Sequence, residues 1–180
     1  MSRARIVREA RRWIGTPYRH QASCRGAGCD CLGLVRGIWR ALYGAEPERL
    51  PPYTPDWAEV AGEETLRDAA MRHLIEIDRT ASRPGDVLLF RPDLNGPAKH
   101  CAILSKPDRI IHAYWGRAVA ETALSRWWRR RQVAAFAFPE RDVGEREDLV
   151  GQVFSRPRPG LAPESRARPF RPGLGSGDPG

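Results

Sequence analysis

The sequence predicts an α+β domain in which helices come first and an antiparallel sheet follows. Up to about residue 75, apolar residues recur at helical spacing. From about residue 86 onward, short apolar runs alternate with turn residues, a pattern typical of strands. Helices followed by a run of neighbouring strands are typical of α+β folds. A chain of 180 residues can bury a core without disulfide bonds.

Three helices are predicted before the strands. The first covers residues 3–14 and ends at Gly15, a residue suited to a helix C-cap. A loop over residues 16–30 follows, and the second helix runs from about 31 to 43. The third helix, less clearly patterned, covers residues 63–75.

The second helix combines a continuous apolar stripe with two internal glycines. Gly33 and Gly37 weaken it as an isolated helix. We therefore expect it to pack closely against another part of the domain.

The strand half of the chain is marked by its turns. Arg83-Pro84-Gly85 precedes one apolar run, and Lys106-Pro107-Asp108 separates two others, which predicts a hairpin. The predicted strands cover residues 86–91, 100–105, 109–114, 119–121 and 133–138.

The composition changes near the C-terminus. Residues 151–180 hold six prolines, six glycines and five arginines, with few large apolar side chains. Such a segment buries too little apolar surface to offset its chain entropy. We therefore predict a domain over residues 1–143 and a disordered or docking tail over 144–180.

A candidate nucleophile lies at the start of the second helix. Residues 28–35 read Gly-Cys-Asp-Cys-Leu-Gly-Leu-Val, which places Cys31 where the loop becomes helical. The unpaired amides and positive dipole at a helix N-terminus favour a thiolate, and such thiols have pKa values of roughly 3.5–7.5. Cys31 is therefore preferred over Cys29, which precedes it in the loop.

Two histidines lie on consecutive predicted strands. His100 opens the first of these strands and is the candidate general base. His112 lies on the next strand, and an antiparallel turn near Pro107 would place it almost opposite His100. His112 could then hold the His100 ring in one tautomer, as the third member of a triad does.

These motifs resemble those of the NlpC-type cell-wall peptidases. Residues 30–35 resemble the nucleophile motif of that family, and residues 13–18 resemble the segment that precedes it. Residues 83–90 are similar to its central strand entry, and His100 and His112 match its base and orienting histidines. The resemblance covers about residues 3–138.

The resemblance implies a papain-like fold and a cysteine peptidase acting on peptidoglycan stem peptides. It implies the catalytic residues Cys31, His100 and His112, with substrate contacts from Tyr18 and Asp30, and it implies no metal or other cofactor. Leu32 replaces the usual serine of the motif, and the Gly-Gly that commonly follows the tyrosine segment is absent. Substrate choice is therefore less firmly implied than reaction type.

The resemblance is closest to the tail-associated peptidases of phages and gene transfer agents. Residues 29–33 and the Trp-Trp-Arg-Arg-Arg run at 127–131 are similar to that subgroup. The partners implied are peptidoglycan and phage-like tail or baseplate proteins. The N-terminal residues do not read as a secretory signal. We therefore expect cytoplasmic synthesis, delivery with the particle and action in the periplasm or cell wall.

Three alternatives remain open at this point. The three clustered cysteines, with His100 or Cys101, could bind zinc or an iron–sulfur cluster in a structural tail-tip protein. The protein could also be a structural tail component with an inactive site.

The net charge of +8 would suit nucleic acid, but no nucleic-acid-binding motif accompanies the arginines, so no such partner is expected. No apolar stretch is long enough for a membrane span.

Overall fold

Helices and strands follow the predicted order in a computed structural model, which describes residues 2–49 and 64–140. The helices are α1 (Arg3–Arg11), α2 (Cys31–Tyr43), α3 (Thr65–His73) and α4 (Arg126–Arg131). The strands are β1 (Ser23–Cys24), β2 (Gly28–Cys29), β3 (Ile75–Ile77), β4 (Val87–Phe90), β5 (His100–Lys106), β6 (Arg109–His112), β7 (Ala120–Ala123) and β8 (Gln132–Ala137). The predicted α+β class is confirmed.

Six of these strands form one antiparallel sheet in the order β3-β8-β4-β5-β6-β7. The strands β1 and β2 pair separately as a small hairpin within the segment predicted as a loop. The sequence did not predict β1, β2, β3 or α4. Each is only two to six residues long, too short for an apolar period to show.

The sheet is buried on both faces, which explains why its strands read as apolar runs. One face carries the larger core cluster and packs against α1 and α2. The opposite face carries a smaller cluster that Trp128 of α4 partly covers. The smaller cluster consists of Leu88, Phe90, Ala102, Leu104, Ile110, Leu124 and Ala135.

The two glycines of α2 lie where neighbouring groups approach the helix most closely. A Cβ built on Gly37 would lie 2.0 Å from Cζ2 of the buried Trp13 ring. A Cβ built on Gly33 would lie 1.9 Å from the carbonyl oxygen of Ala22. The expected close packing of this helix is confirmed, and it holds α2 against α1 and against the loop that leads to Cys31.

The tail predicted over residues 144–180 lies outside the described residues, so the domain boundary stays a prediction. Within the described ranges, no helix is long and apolar enough to cross a membrane.

We expect Gly37→Ala to destabilise the domain, because the added methyl group would collide with the buried Trp13 ring. Overpacking of a filled core typically costs ~1–3 kcal/mol. An approach of 2.0 Å to a buried ring favours the upper end of this range. That cost exceeds the ~1 kcal/mol by which alanine is favoured over glycine in a helix. Urea denaturation measures the net loss.

Gly96→Ala is the matched control, since its Cβ would meet no atom closer than 3.4 Å. Equal free energies of unfolding for Gly37→Ala and the wild type would contradict the close packing of α2.

Candidate active site

Cys31 is the first residue of α2, and Asp30 caps this helix. Asp30 Oδ1 accepts a hydrogen bond from the Gly33 amide at 2.7 Å, and Asp30 Oδ2 accepts one from the Gln21 amide at 2.7 Å. The carboxylate therefore fixes both the helix start and the preceding loop. A direct contact between Asp30 and substrate stays a prediction, because both carboxylate oxygens already bind backbone amides.

A cleft with a volume of ≈ 180 Å³ opens at this helix start. It brings together the predicted nucleophile, the predicted base, Tyr18 and Asp30. Its lining consists of Tyr18, His20, Asp30, Cys31, Leu32, Leu66, Pro92, Lys99, His100, Ala113, Tyr114 and Trp115. His112 lies behind His100 instead, beside a second groove on the other side of the histidine pair.

The acidic thiol in this region is that of Cys31. A hydrogen bond from the Cys101 thiol, followed by the charge and hydrogen bond of His100, holds the pKa of Cys31 well below its usual value despite burial. The pKa of Cys101 is correspondingly raised. Burial, with the negative charges of Asp30 and Cys31, raises the pKa of Cys29 to about 12. These directions agree with Cys31, and not Cys29, as the nucleophile.

The two predicted histidines meet across β5 and β6. His100 Nε2 lies 2.9 Å from His112 Nδ1, and each ring is only 5% exposed. The two histidines were expected almost opposite one another, and the observed register offsets them by two residues. Ile103 pairs with Ile111, so Ala102, not His100, lies opposite His112. The imidazoles therefore meet diagonally on one face of the sheet.

His112 is held as a neutral ring. Burial, followed by the positive charge of His100, lowers the pKa of His112 to about 3. Its other nitrogen, Nε2, lies 3.0 Å from Thr122 Oγ1 on β7. Since His112 occupies Nε2 of His100, the Nδ1 atom of His100 is the nitrogen available to the Cys31 thiol.

An aromatic cage, made by Phe90, Tyr114 and Trp128, surrounds the histidine pair. The Trp128 ring stacks on His100 with centroids 5.0 Å apart, and Tyr114 contacts both imidazoles edge-on or tilted. The two tryptophans of the Trp-Trp-Arg-Arg-Arg run differ in their surroundings. Trp128 packs on the sheet, whereas Trp127 is 42% exposed and lies beneath the Arg131 guanidinium.

Tyr18 lines the cleft as its matching motif implies. Burial, followed by the negative charges of Asp30 and Cys31, raises the pKa of Tyr18 to about 12. Its hydroxyl group is therefore protonated at neutral pH and can donate a hydrogen bond. The Tyr18 ring packs against Trp115, which is 63% exposed at the rim of the cleft.

The cysteines are not gathered as the metal alternative requires. None of the four forms a disulfide bond. Cys24 is exposed on β1, whereas Cys29 and Cys101 are buried. Over residues 2–49 and 64–140, no group of three or more His, Cys, Asp or Glu side chains is arranged to hold a metal ion.

Comparison with known proteins identifies the domain. Residues 15–137 match the model of the NlpC/P60 family. The chain belongs to the NlpC/P60 family. This is a family of cysteine peptidases, which agrees with a thiol, rather than a metal, at the centre of the cleft.

Two curated relatives align with this NlpC/P60 domain. Murein DD-endopeptidase MepH of Escherichia coli (strain K12) is 31% identical over 124 residues, which is 68% of this chain and 41% of the relative. Gamma-DL-glutamyl hydrolase of Bacillus subtilis (strain 168) is 25% identical over 152 residues, which is 82% of this chain and 32% of the relative. The chain thus spans less than half the length of either relative.

Solved structures show the same fold. An NlpC/P60 family protein from Bacillus cereus ATCC 10987 superposes with a TM-score of 0.56 at 18% identity. The match covers 77% of this chain and 40% of that one. The papain-like fold implied by the sequence resemblance is thereby confirmed.

Proposed function

We propose that this NlpC/P60 domain is a cysteine endopeptidase that hydrolyses peptide bonds in peptidoglycan stem peptides. One observation carries the proposal: the acidic Cys31 thiol shares a cleft with His100, whose far nitrogen is held by His112. A thiolate paired with an oriented imidazole is the arrangement that acyl transfer to cysteine requires.

In the first step, the Cys31 thiolate attacks the carbonyl carbon of the scissile peptide bond. The resulting oxyanion needs hydrogen-bond donors that are already in place. The first amides of α2 have no partner within the helix, and the amide of Cys31 itself lies next to the reacting sulfur. This amide can therefore stabilise the oxyanion together with the helix dipole.

In the second step, His100 gives its Nδ1 proton to the leaving amine, and a thioester to Cys31 remains. Water then attacks the thioester carbonyl carbon, and Nδ1 of His100 takes the water proton. The carbon–sulfur bond breaks, which releases the carboxylic acid product and restores the Cys31 thiolate. Throughout, His112 accepts a hydrogen bond from His100 Nε2 through its own Nδ1. Because His112 is neutral, it orients the His100 ring and leaves the positive charge on His100.

The substrate class is supported by the names of the two curated relatives, which act on murein and on gamma-glutamyl bonds. In this chain, the cleft offers the neutral Tyr18 hydroxyl and an aromatic rim at Tyr114 and Trp115. Leu32 contributes an apolar side chain to the cleft where the family motif usually has a serine. These features offer a peptide one hydrogen-bond donor and several apolar contacts.

We expect the purified protein to release peptide fragments from purified peptidoglycan, identified by mass spectrometry. Cys31→Ala should release none, whereas Cys29→Ala should retain activity. A positioned base is worth on the order of 10²–10⁴ in rate, so His100→Ala should lose about that much. His112→Gln should lose less, since an amide oxygen can still accept the bond from His100 Nε2.

Fragment release by Cys31→Ala at the wild-type rate would refute the peptidase assignment. Equal and complete losses in His100→Ala and His112→Gln would contradict the division of roles between the two histidines.

We further propose that the protein is a tail component of a phage or gene transfer agent that helps the particle pass the cell wall. The support is the resemblance of residues 29–33 and 127–131 to that subgroup. The second of these runs lies on α4, where Trp127, Arg129 and Arg130 are exposed and accessible to a partner.

We expect mass spectrometry of purified particles to detect the chain among the tail proteins. Particles that carry Cys31→Ala should assemble in normal numbers but deliver DNA less often, because only the peptidase step is lost. Absence of the chain from purified particles would contradict the tail assignment and leave the peptidase assignment untouched.

A further inference from the structure

The histidine pair continues to a third strand, where Thr122 meets His112. His112 Nε2 lies 3.0 Å from Thr122 Oγ1. The pairing of β6 with β7 sets Thr122 opposite Ile110 and Ala120 opposite His112. The Thr122 side chain therefore reaches His112 diagonally, as the His100 side chain does from the other neighbouring strand.

The hydrogen bonds at His112 determine where its proton lies. A neutral imidazole has one nitrogen that donates and one that accepts. When His100 is protonated as the partner of a thiolate, both of its nitrogens carry protons, and its Nε2 can only donate. His112 Nδ1 must then accept, and the proton of the neutral His112 ring must lie on Nε2. Thr122 Oγ1 is the acceptor for that proton.

We propose that Thr122 is a positioning residue for the reaction, whose hydroxyl oxygen fixes His112 in the tautomer that accepts a hydrogen bond from His100. The proposal rests on the proposed peptidase function. Without the hydroxyl group, the His112 Nε2 proton has no hydrogen-bond partner in this part-buried site, which is unfavourable. The ring can avoid this cost by moving its proton to Nδ1. Two N–H groups of His100 and His112 would then face each other.

The position of Thr122 separates this role from substrate binding. Thr122 and His112 line the groove behind the histidine pair, together with Ser125 and Trp128, whereas Cys31 and His100 line the cleft in front. A loss of the hydroxyl group should therefore lower kcat and leave KM for a peptide substrate nearly unchanged.

The test compares Thr122→Val, which keeps the side-chain shape, with Thr122→Ser, which keeps the hydroxyl group. Removal of the hydrogen-bond partner that orients a metal-bound histidine typically costs ~10–100-fold. Because Thr122 orients His112 in the same way, kcat of Thr122→Val should fall by about that amount. Thr122→Ser should retain near wild-type kcat. Ser125→Ala is the matched control, because it removes a hydroxyl group from the same groove while both nitrogens of His112 keep their partners.

Nitrogen NMR of isotope-labelled histidine supplies a readout that is independent of activity. His112 should be protonated on Nε2 in the wild type and in Thr122→Ser, and should shift toward Nδ1 protonation in Thr122→Val. A lowered kcat with an unchanged tautomer would overturn the proposal, as would a changed tautomer with an unchanged kcat.

Measurements on the wild-type protein decide two further cases. If Thr122→Val does not fold, Nδ1 protonation of His112 in the wild type would by itself overturn the proposal. If the wild type shows no hydrolysis, the proposed peptidase function fails. The NMR comparison then still decides whether Thr122 controls the tautomer.

Discussion

The contact between the start of α2 and the start of β5 is the constraint on which the site depends. Cys31 and His100 are the first residues of these two elements, and α2 packs on β5 through the larger core cluster. The helix dipole stabilises a thiolate at a helix start. Catalysis also needs a group that gives a proton to the leaving amine, and an imidazole beside the thiolate can supply it. The core fixes that distance, and the loop before Cys31 fixes the direction of the thiol.

The polar groups behind this contact form a chain across three adjacent strands. His100, His112 and Thr122 lie on β5, β6 and β7, and each side chain reaches the next diagonally. Strands held in one sheet are a rigid platform, so small rotations of the imidazoles are suppressed. The Trp128 ring also stacks on His100 and so packs against the histidine pair. The sheet face that carries the smaller core cluster thus holds the His100 ring in its orientation.

Much of this arrangement could be predicted from the sequence, because its main signals are local. The helix start at Cys31 was predicted from a glycine-containing loop followed by an apolar stripe, and α2 begins there. The structure adds that Asp30 caps this helix. The pairing of the two histidines follows from the turn at Pro107. The diagonal register, Thr122 and the stacking of Trp128 depend on how three strands align, which no local pattern in the sequence specifies.

The role of Cys101 shows the same limit. Its place in an alternating strand indicates a buried side chain, and it is 1% exposed. Its hydrogen bond to the Cys31 thiolate depends on the packing of α2 against β5, which brings together residues far apart in the sequence. The sequence therefore singled out the cysteine whose pKa is lowered in the structure, but not the neighbour that contributes most to this shift.

The most direct test of the central claim is the rate of iodoacetamide alkylation of each cysteine as a function of pH, measured by peptide mass spectrometry with a free thiol as reference. Cys31 should reach its full rate well below the pH of about 8.5 at which a free cysteine ionises. Cys29 and Cys101 should stay unlabelled in the folded protein. A Cys31 rate that rises only with that of the free thiol, or rapid labelling of Cys29 at low pH, would show that Cys31 is not the activated thiol.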